Sequence, residues 1–391
     1  MEDLRVGVIG YGLRGPLARH AHQPGRGSAV VAVGDPRPER RELAGADFGP
    51  DVLLTDDPGE VLRAGLDAVF VLSPDHLHAE HALAAFDAGV PVYLEKPLAI
   101  TLEECDALLG RAREAGVKLY IGHNMRHMPV VQTMRQLILD GAIGEVKAVW
   151  CRHFVGHGGD YYFKDWHAER AKGTGLLLQK AAHDIDVIHW LAGGYTRRVN
   201  AMGALTLYDR VTDRAPAAPF SEYKASHELE TWPPLAQTGL NPVIDVEDLS
   251  MVNMALDNGV LATYEQCHYT PDYWRNYTVI GTEGRLENIG DTSDATVHVW
   301  NRRHRGHAPA DVVVPVASAE GGHGGADPGI VAEFLRFVRE GGETLTSPVA
   351  AREAVATGCA ATDSLRSGGV PIDIPAVPAD LRGYFAAGQA G

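Results

Sequence analysis

Basic residues are scarce in this sequence. Its 35 Lys and Arg face 51 Asp and Glu, for a net charge of −16 with histidine neutral. Nucleic acid and anionic membranes call for clustered Lys and Arg, so neither is an expected partner. An anionic ligand in a local pocket remains compatible with that balance. Cysteine is also sparse: Cys105, Cys151, Cys267 and Cys359 are scattered without CxxC spacing. This argues against a disulfide framework or a cysteine-built zinc site, and fits free thiols in a reducing compartment. No apolar run approaches the roughly 18 residues of a membrane span. The N-terminal MEDLRVGVIGYG lacks the basic-then-apolar order of a secretory signal. A cytoplasmic protein with no membrane partner is therefore expected. No metal is expected either, although His153, His157 and His167 are spaced through one glycine-rich segment.

The 391 residues exceed one ordinary core, and 45% hydrophobic with 22% charged residues is the balance of a soluble globular chain. Leu4-Arg5-Val6-Gly7-Val8-Ile9 reads as a buried strand running into Gly10-Tyr11-Gly12-Leu13-Arg14-Gly15. Glycines there permit a tight turn and close approach to a pyrophosphate. The helix expected next, with Pro16 in its first turn, would offer free N–H groups. A second strand, 29–34, ends at Asp35, 25 residues beyond Gly10 and close to the roughly 20 expected for a ribose-binding carboxylate. Such a carboxylate would repel a 2′-phosphate, which favours NAD over NADP, although Arg37, Arg40 and Arg41 keep NADP open.

The alternation continues with a strand at 67–72, a helix capped by Ser73 or Asp75, a strand at 91–94, a helix at 102–115 and a strand at 117–121. Strands alternating with helices predict a parallel, doubly wound sheet. Ligands bind such sheets beyond the carboxyl ends of the strands, where Gly10, Asp35, Ser73, Glu95 and Gly122 all fall. In the second half, helical periodicity runs over 176–191, with Gln179, His183 and Asp186 along one edge. Asp257-Asn258-Gly259 separates the paired runs 249–256 and 260–267, and Gly281-Thr282-Glu283-Gly284 separates 277–280 and 285–288. Both read as hairpins, and 296–300 adds a strand. Residues 209–242 lack either period and read as a surface loop, with Tyr223, His227 and Trp232 leaving a substrate-covering role open. Gly322–Asp327 reads as a loop, with Asp327 capping a helix that begins near Pro328.

GYGLRG after the first strand, SPDHLHAEHALAAFDAG and YLEKPLA together resemble the Gfo/Idh/MocA family. Further on, so do IGHNMRHMPVVQTMRQLILDGAIGEV, GLLLQKAAHDIDVIHWLAG and YTVIGTEGRLEN. The resemblance implies a Rossmann domain over 1–124 with return helices over about 330–391. It implies a second α/β domain on a large, mostly antiparallel sheet over 125–329, with an insert near 209–242. It also implies a cis Lys96–Pro97 peptide and a homodimer or homotetramer formed through that sheet. Expected cofactor contacts are Gly10, Tyr11, Gly12, Leu13, Arg14, Asp35, Ser73, Pro74, His76, His78, Glu95, Lys96, Asn124 and Trp166. Arg126 and His323 are expected at the substrate.

Lys96 is expected beside a nicotinamide, where a protonated amine can stabilise charge on oxygen or relay a proton. His183 is expected to act as general base, with the two roles exchangeable. The family usually carries an aspartate four residues before this histidine. Here Gln179 stands in its place and can orient the imidazole but brings no charge. Lys180 can ligate a substrate oxygen or pair with Asp184. The leading expectation is an NAD-dependent oxidoreductase acting on a secondary hydroxyl of a sugar, inositol or glycoside. A glycoside-cleaving enzyme working by transient oxidation and elimination is the alternative. A cofactor-bound regulator without catalysis is the third.

Overall fold

The computed structural model describes residues 2–215, 232–292, 294–318 and 322–389, with the side chains of Gly322 and His323 also outside the described residues. Tyr223 and His227 of the insert lie outside the described residues. The chain divides into two compact units, one comprising 1–124, 327–355 and 377–391, the other 125–326 and 356–376. The return expected over 330–391 is thus shared out, with 356–376 belonging to the second unit.

In the first unit, strands β1 (Leu4–Ile9), β2 (Ser28–Gly34), β3 (Leu53–Thr55), β4 (Ala68–Val71), β5 (Val92–Leu94) and β6 (Leu119–Ile121) form one parallel sheet. Their order is β3-β2-β1-β4-β5-β6, that of a dinucleotide-binding doubly wound sheet. Helices α1 (Pro38–Phe48), α2 (Pro58–Leu62), α3 (His78–Asp87) and α4 (Leu102–Ala115) connect them. α4 begins at Thr101, whose hydroxyl accepts from the Glu104 amide, and ends at left-handed Gly116, so each end meets its backbone groups. Phe70, Tyr93, Tyr120 and Phe334 pack ring against ring at 4.8–5.7 Å in the core.

Local chemistry departs from expectation at two points here. The turn after β1 leads into a 3-10 helix, Gly15–Ala21. A Cβ on Gly15 would stand 2.8 Å from the Tyr11 ring, so this glycine admits the tyrosine. Neither Ser73 nor Asp75 caps the helix after β4. A 3-10 turn, Asp75–Leu77, precedes α3 without a side-chain cap.

The second unit is built on a nine-stranded sheet. It contains β7 (Val146–Val155), β8 (Thr196–Ala204), β9 (Leu249–Leu256), β10 (Leu261–Cys267), β11 (Tyr273–Gly281), β12 (Arg285–Ile289), β13 (Thr296–Trp300), β14 (Val312–Pro315) and β15 (Ile372–Asp373). Both expected hairpins are present as antiparallel pairs. Among the described residues of this sheet, only β7 and β10 run parallel. α5 (Pro129–Leu139), the short turns α6 (Gly158–Tyr161) and α7 (Arg170–Gly173), α8 (Leu176–Gln179) and α9 (Ala181–Ala192) belong to this unit. α10 (Gly322–Glu340) and α11 (Pro348–Arg366) follow, with α12 (Ala379–Ala386) last. The helix expected over 176–191 is two pieces joined at Lys180. Gly358 presses on the first piece, since a Cβ there would meet the Leu177 carbonyl oxygen at 2.5 Å.

Candidate active site

The carboxyl ends of the parallel strands carry a chain of charges. At the end of β5, Glu95 accepts from the Lys96 amide at 2.8 Å through one oxygen and from Arg14 Nε at 2.6 Å through the other. Arg14 spends its remaining nitrogens on Asp327, at 3.0 and 3.1 Å. Asp327 therefore does not cap a helix. It lies inside α10, which begins at Gly322, and serves as an ion-pair partner. Asn124 Nδ2 donates to it at 3.4 Å. A Cβ on Gly122 would meet Glu95 Oε2 at 2.2 Å, so glycine is needed where β6 ends beside this carboxylate. The Lys96–Pro97 peptide is cis. His78 is fully buried, with its ring nitrogens 2.7 Å from the Pro97 carbonyl and 2.9 Å from that of Ser73. It clasps two strand ends and presents no ring nitrogen to a ligand. Pro74 starts the 3-10 turn that holds His76.

The first turn fits a dinucleotide. Gly10 adopts φ 89°, and a Cβ there would lie 2.7 Å from the Ser73 nitrogen. Among the described residues, the amides of Gly12 and Leu13 have no hydrogen-bond acceptor, leaving donors of the kind a pyrophosphate takes. Asp35 is buried at the end of β2 and accepts from the Tyr11 amide at 2.8 Å and from Arg37. Burial works against its charge, but the hydrogen bonds from Arg37 and Tyr11 outweigh it and hold its pKa below the usual value. Arg37 is itself half-exposed, so ribose hydroxyls can replace it as donors.

In the second unit, Gln179 and His183 are buried on successive turns. Lys180 lies between them, its ammonium 5.5 Å from the centre of the Tyr162 ring. Burial, then the positive charge of Arg275, draws the Lys180 pKa down to about 7 against the opposing pull of Asp184 and Asp291. Lys180 does not pair with Asp184. That carboxylate is occupied by His153 Nδ1 at 3.1 Å, Tyr264 at 3.2 Å, the Tyr277 hydroxyl and Arg275 at 3.1 Å. Arg126, expected at the substrate, is instead locked fork to fork on Asp186, both contacts at 2.7 Å and both side chains buried. Trp166 stacks on His167 at 3.8 Å. His323 falls in the first turn of α10, its side chain outside the described residues.

Sequence reasoning missed the cluster around Asp184. Its signal was period two: Cys151 and His153 on β7, and Arg275 and Tyr277 on β11, are polar pairs two residues apart on inward faces. His153 of this cluster, with His189 and His268 buried elsewhere in the same unit, carries a pH dependence. Burial pushes His153 and His189 from 6.5 down to about 3, and moves His268 well below its ordinary value. The unfolded chain binds those protons first, so stability is fully present above pH 6.5 and falls as pH drops towards 3. Each imidazole contributes up to about 1.4 kcal/mol per pH unit in that window. Urea unfolding at pH 7 and pH 5 should show this loss; equal stabilities would contradict it.

The oxidoreductase family with an NAD-binding Rossmann fold, Gfo/Idh/MocA, matches residues 4–123, and the Gfo/Idh/MocA C-terminal domain matches 131–287. Levoglucosan dehydrogenase of Pseudarthrobacter phenanthrenivorans is 26% identical over 308 residues, covering 73% of each chain. Inositol 2-dehydrogenase 1 of Saccharopolyspora erythraea is 33% identical over 199 residues, 50% of this chain and 56% of that protein. The match thus spans little more than half of that relative. A solved levoglucosan dehydrogenase in complex with NADH shares the fold, with a TM-score of 0.78 and 21% identity over 96% of this chain and 100% of that one.

Proposed function

The chain belongs to the Gfo/Idh/MocA family of oxidoreductases, and from that premise we propose an NAD-dependent dehydrogenase of a secondary hydroxyl on a sugar, inositol or glycoside. The observation that carries this reading is the corner at Glu95 and Lys96, where a braced carboxylate fixes the lysine backbone at a strand's carboxyl end. A bound nicotinamide dinucleotide would supply the hydride acceptor. The Gly12 and Leu13 amides hold its pyrophosphate and Asp35 its ribose hydroxyls. Lys96 polarises the substrate oxygen, and His183 takes the hydroxyl proton. Gln179 orients the imidazole, and Lys180 offers its amine to a second substrate oxygen. Relatives named for inositol and levoglucosan support a polyol or anhydrosugar substrate.

The direct test mixes protein, NAD+ and a panel of inositols, sugars and anhydrosugars, and follows the NADH absorbance band. Absence of turnover with cofactor bound overturns the reading. Release of an aglycone from a glycoside without NADH accumulation replaces net oxidation by redox-neutral cleavage. For the cofactor, Asp35→Ser is expected to raise the Kd for NADH about tenfold or more, since a charge-assisted hydrogen bond is lost. It should weaken NADPH far less. A wild-type protein that prefers NADPH contradicts the NAD assignment.

The same reading includes a homodimer or homotetramer. Trp150 on β7, Leu261 on β10, Met251 on β9 and Met202 on β8 are exposed on one sheet, Met202 by 72%. An apolar row of this kind usually has a partner. Light scattering that returns a monomer mass would rule this out.

A further inference from the structure

The far edge of the nine-stranded sheet holds a cavity of about 330 Å³ that none of the proposed chemistry uses. Gly284, Arg285, Trp300, Arg302, His304 and His307 are among its walls. The volume lies at the small end of the range typical of ligand sites. Its chemistry is unlike the rest of the chain. Against a net charge of −16, the loop 301–307 reads Asn-Arg-Arg-His-Arg-Gly-His and contains no acid.

The loop is built, and its acid is spent on building it. Asp311 accepts from the Asn301 and Arg302 amides, both at 3.0 Å, and lies 3.1 Å from His304 Nε2. Trp300 Nε1 donates to the Ala308 carbonyl at 2.9 Å. A Cβ on Gly284 would meet the Trp300 carbonyl oxygen at 2.5 Å, so glycine lets the β11–β12 turn close against the loop. The Arg285 guanidinium carbon sits 3.5 Å over the centre of the Trp300 ring, with Glu287 at 3.4 Å. The Asp311 carboxylate thus fixes the Arg302 backbone and leaves its guanidinium unspent. Among the described residues, the side chains of Arg302, Arg303 and Arg305 have no acidic partner and are exposed.

We propose that this pocket binds a phosphate-bearing small molecule, a phosphate ester or a diphosphate. A planar guanidinium matches two oxygens of a tetrahedral oxyanion at once; Arg302 stands in the cavity wall, and Arg303 and Arg305 flank it on the same exposed loop, where they add positive charge. The fixed loop lowers the ordering cost of binding. His307 lies in the same wall.

The probe is inorganic pyrophosphate, titrated calorimetrically into the full chain with NADH already saturating, so that the cofactor's own phosphate site is filled. The wild type is expected to bind one pyrophosphate. The variant R302Q/R303Q/R305Q, whose changes are all exposed, should weaken that binding about tenfold or more. The added pyrophosphate should raise the Tm of the wild type but not of the variant. The proposal is overturned if the wild type binds no pyrophosphate, or if the variant binds it equally. It also falls if only a long polyanion such as single-stranded DNA binds. Failure of NADH to bind would count against the dehydrogenase reading alone, because the comparison of wild type with variant still reports on the loop.

Discussion

Replacing Lys96 by methionine is expected to lower kcat by about 10²–10⁴-fold, the usual range for removing a positioned acid–base group, while NADH still binds. The expectation rests on how firmly this residue is held. Its amide is bonded to Glu95, Glu95 to Arg14, and Arg14 to Asp327, all within the first unit. Methionine keeps the length and apolar stem of the side chain and deletes only the ammonium. Backbone geometry should therefore survive, and the loss should fall on the chemical step. Single-turnover hydride transfer and NADH fluorescence titration separate the two. A kcat that stays within a few-fold of wild type would remove Lys96 from the reaction. A loss of NADH affinity matching the loss of rate would make it a binding residue.

The first unit was legible because two periods coincide there. Apolar runs of 3–7 residues end in Gly10, Asp35, Ser73, Glu95 and Gly122, and a parallel sheet places all such ends on one edge. What sequence could not show was the partner of each charge. Arg14 reads as a cofactor contact because it lies in the glycine turn, yet its guanidinium is consumed by Glu95 and by Asp327, which is 313 residues away in sequence. Arg126 likewise carries an ion pair that its local sequence does not reveal, to Asp186 on α9. Capping was misread at Asp327 because an aspartate before proline is a local signal, and a long-range ion pair outcompeted it. Lys180 shows a further limit. The i,i+4 spacing from Lys180 to Asp184 suggests a pair on a continuous helix, but the helix is interrupted at Lys180 and Asp184 points into the sheet.

Asp184 is the residue on which the second unit most depends. It is fully buried on α9, with donors from β7, β10 and β11 converging on its two oxygens. Without it, the acidic partner left to Arg275 among the described residues is Asp291 at 3.5 Å, while Tyr264 keeps Gln266 at 3.2 Å. Asp184→Ala is therefore expected to cost about 3–5 kcal/mol, most of it from leaving the Arg275 charge buried with one distant partner. Burial alone would raise the Asp184 pKa; Arg275, then His153, hold it well below the carboxylate range instead. A depressed acid contributes stability that is present above its unfolded pKa and lost as pH falls through the folded one. The deficit of Asp184→Asn relative to wild type should accordingly stay constant from pH 5 to pH 8, unlike the histidine-linked slope. Removing both charges in D184N/R275M should recover part of the loss, because an apolar replacement leaves no ion to desolvate. Urea unfolding of wild type, D184N, R275M and D184N/R275M closes the cycle. If the double variant is less stable than Asp184→Asn alone, Arg275 is stabilised by Asp291 and its neighbours rather than stranded, and the buried pair is not what holds α9 to the sheet.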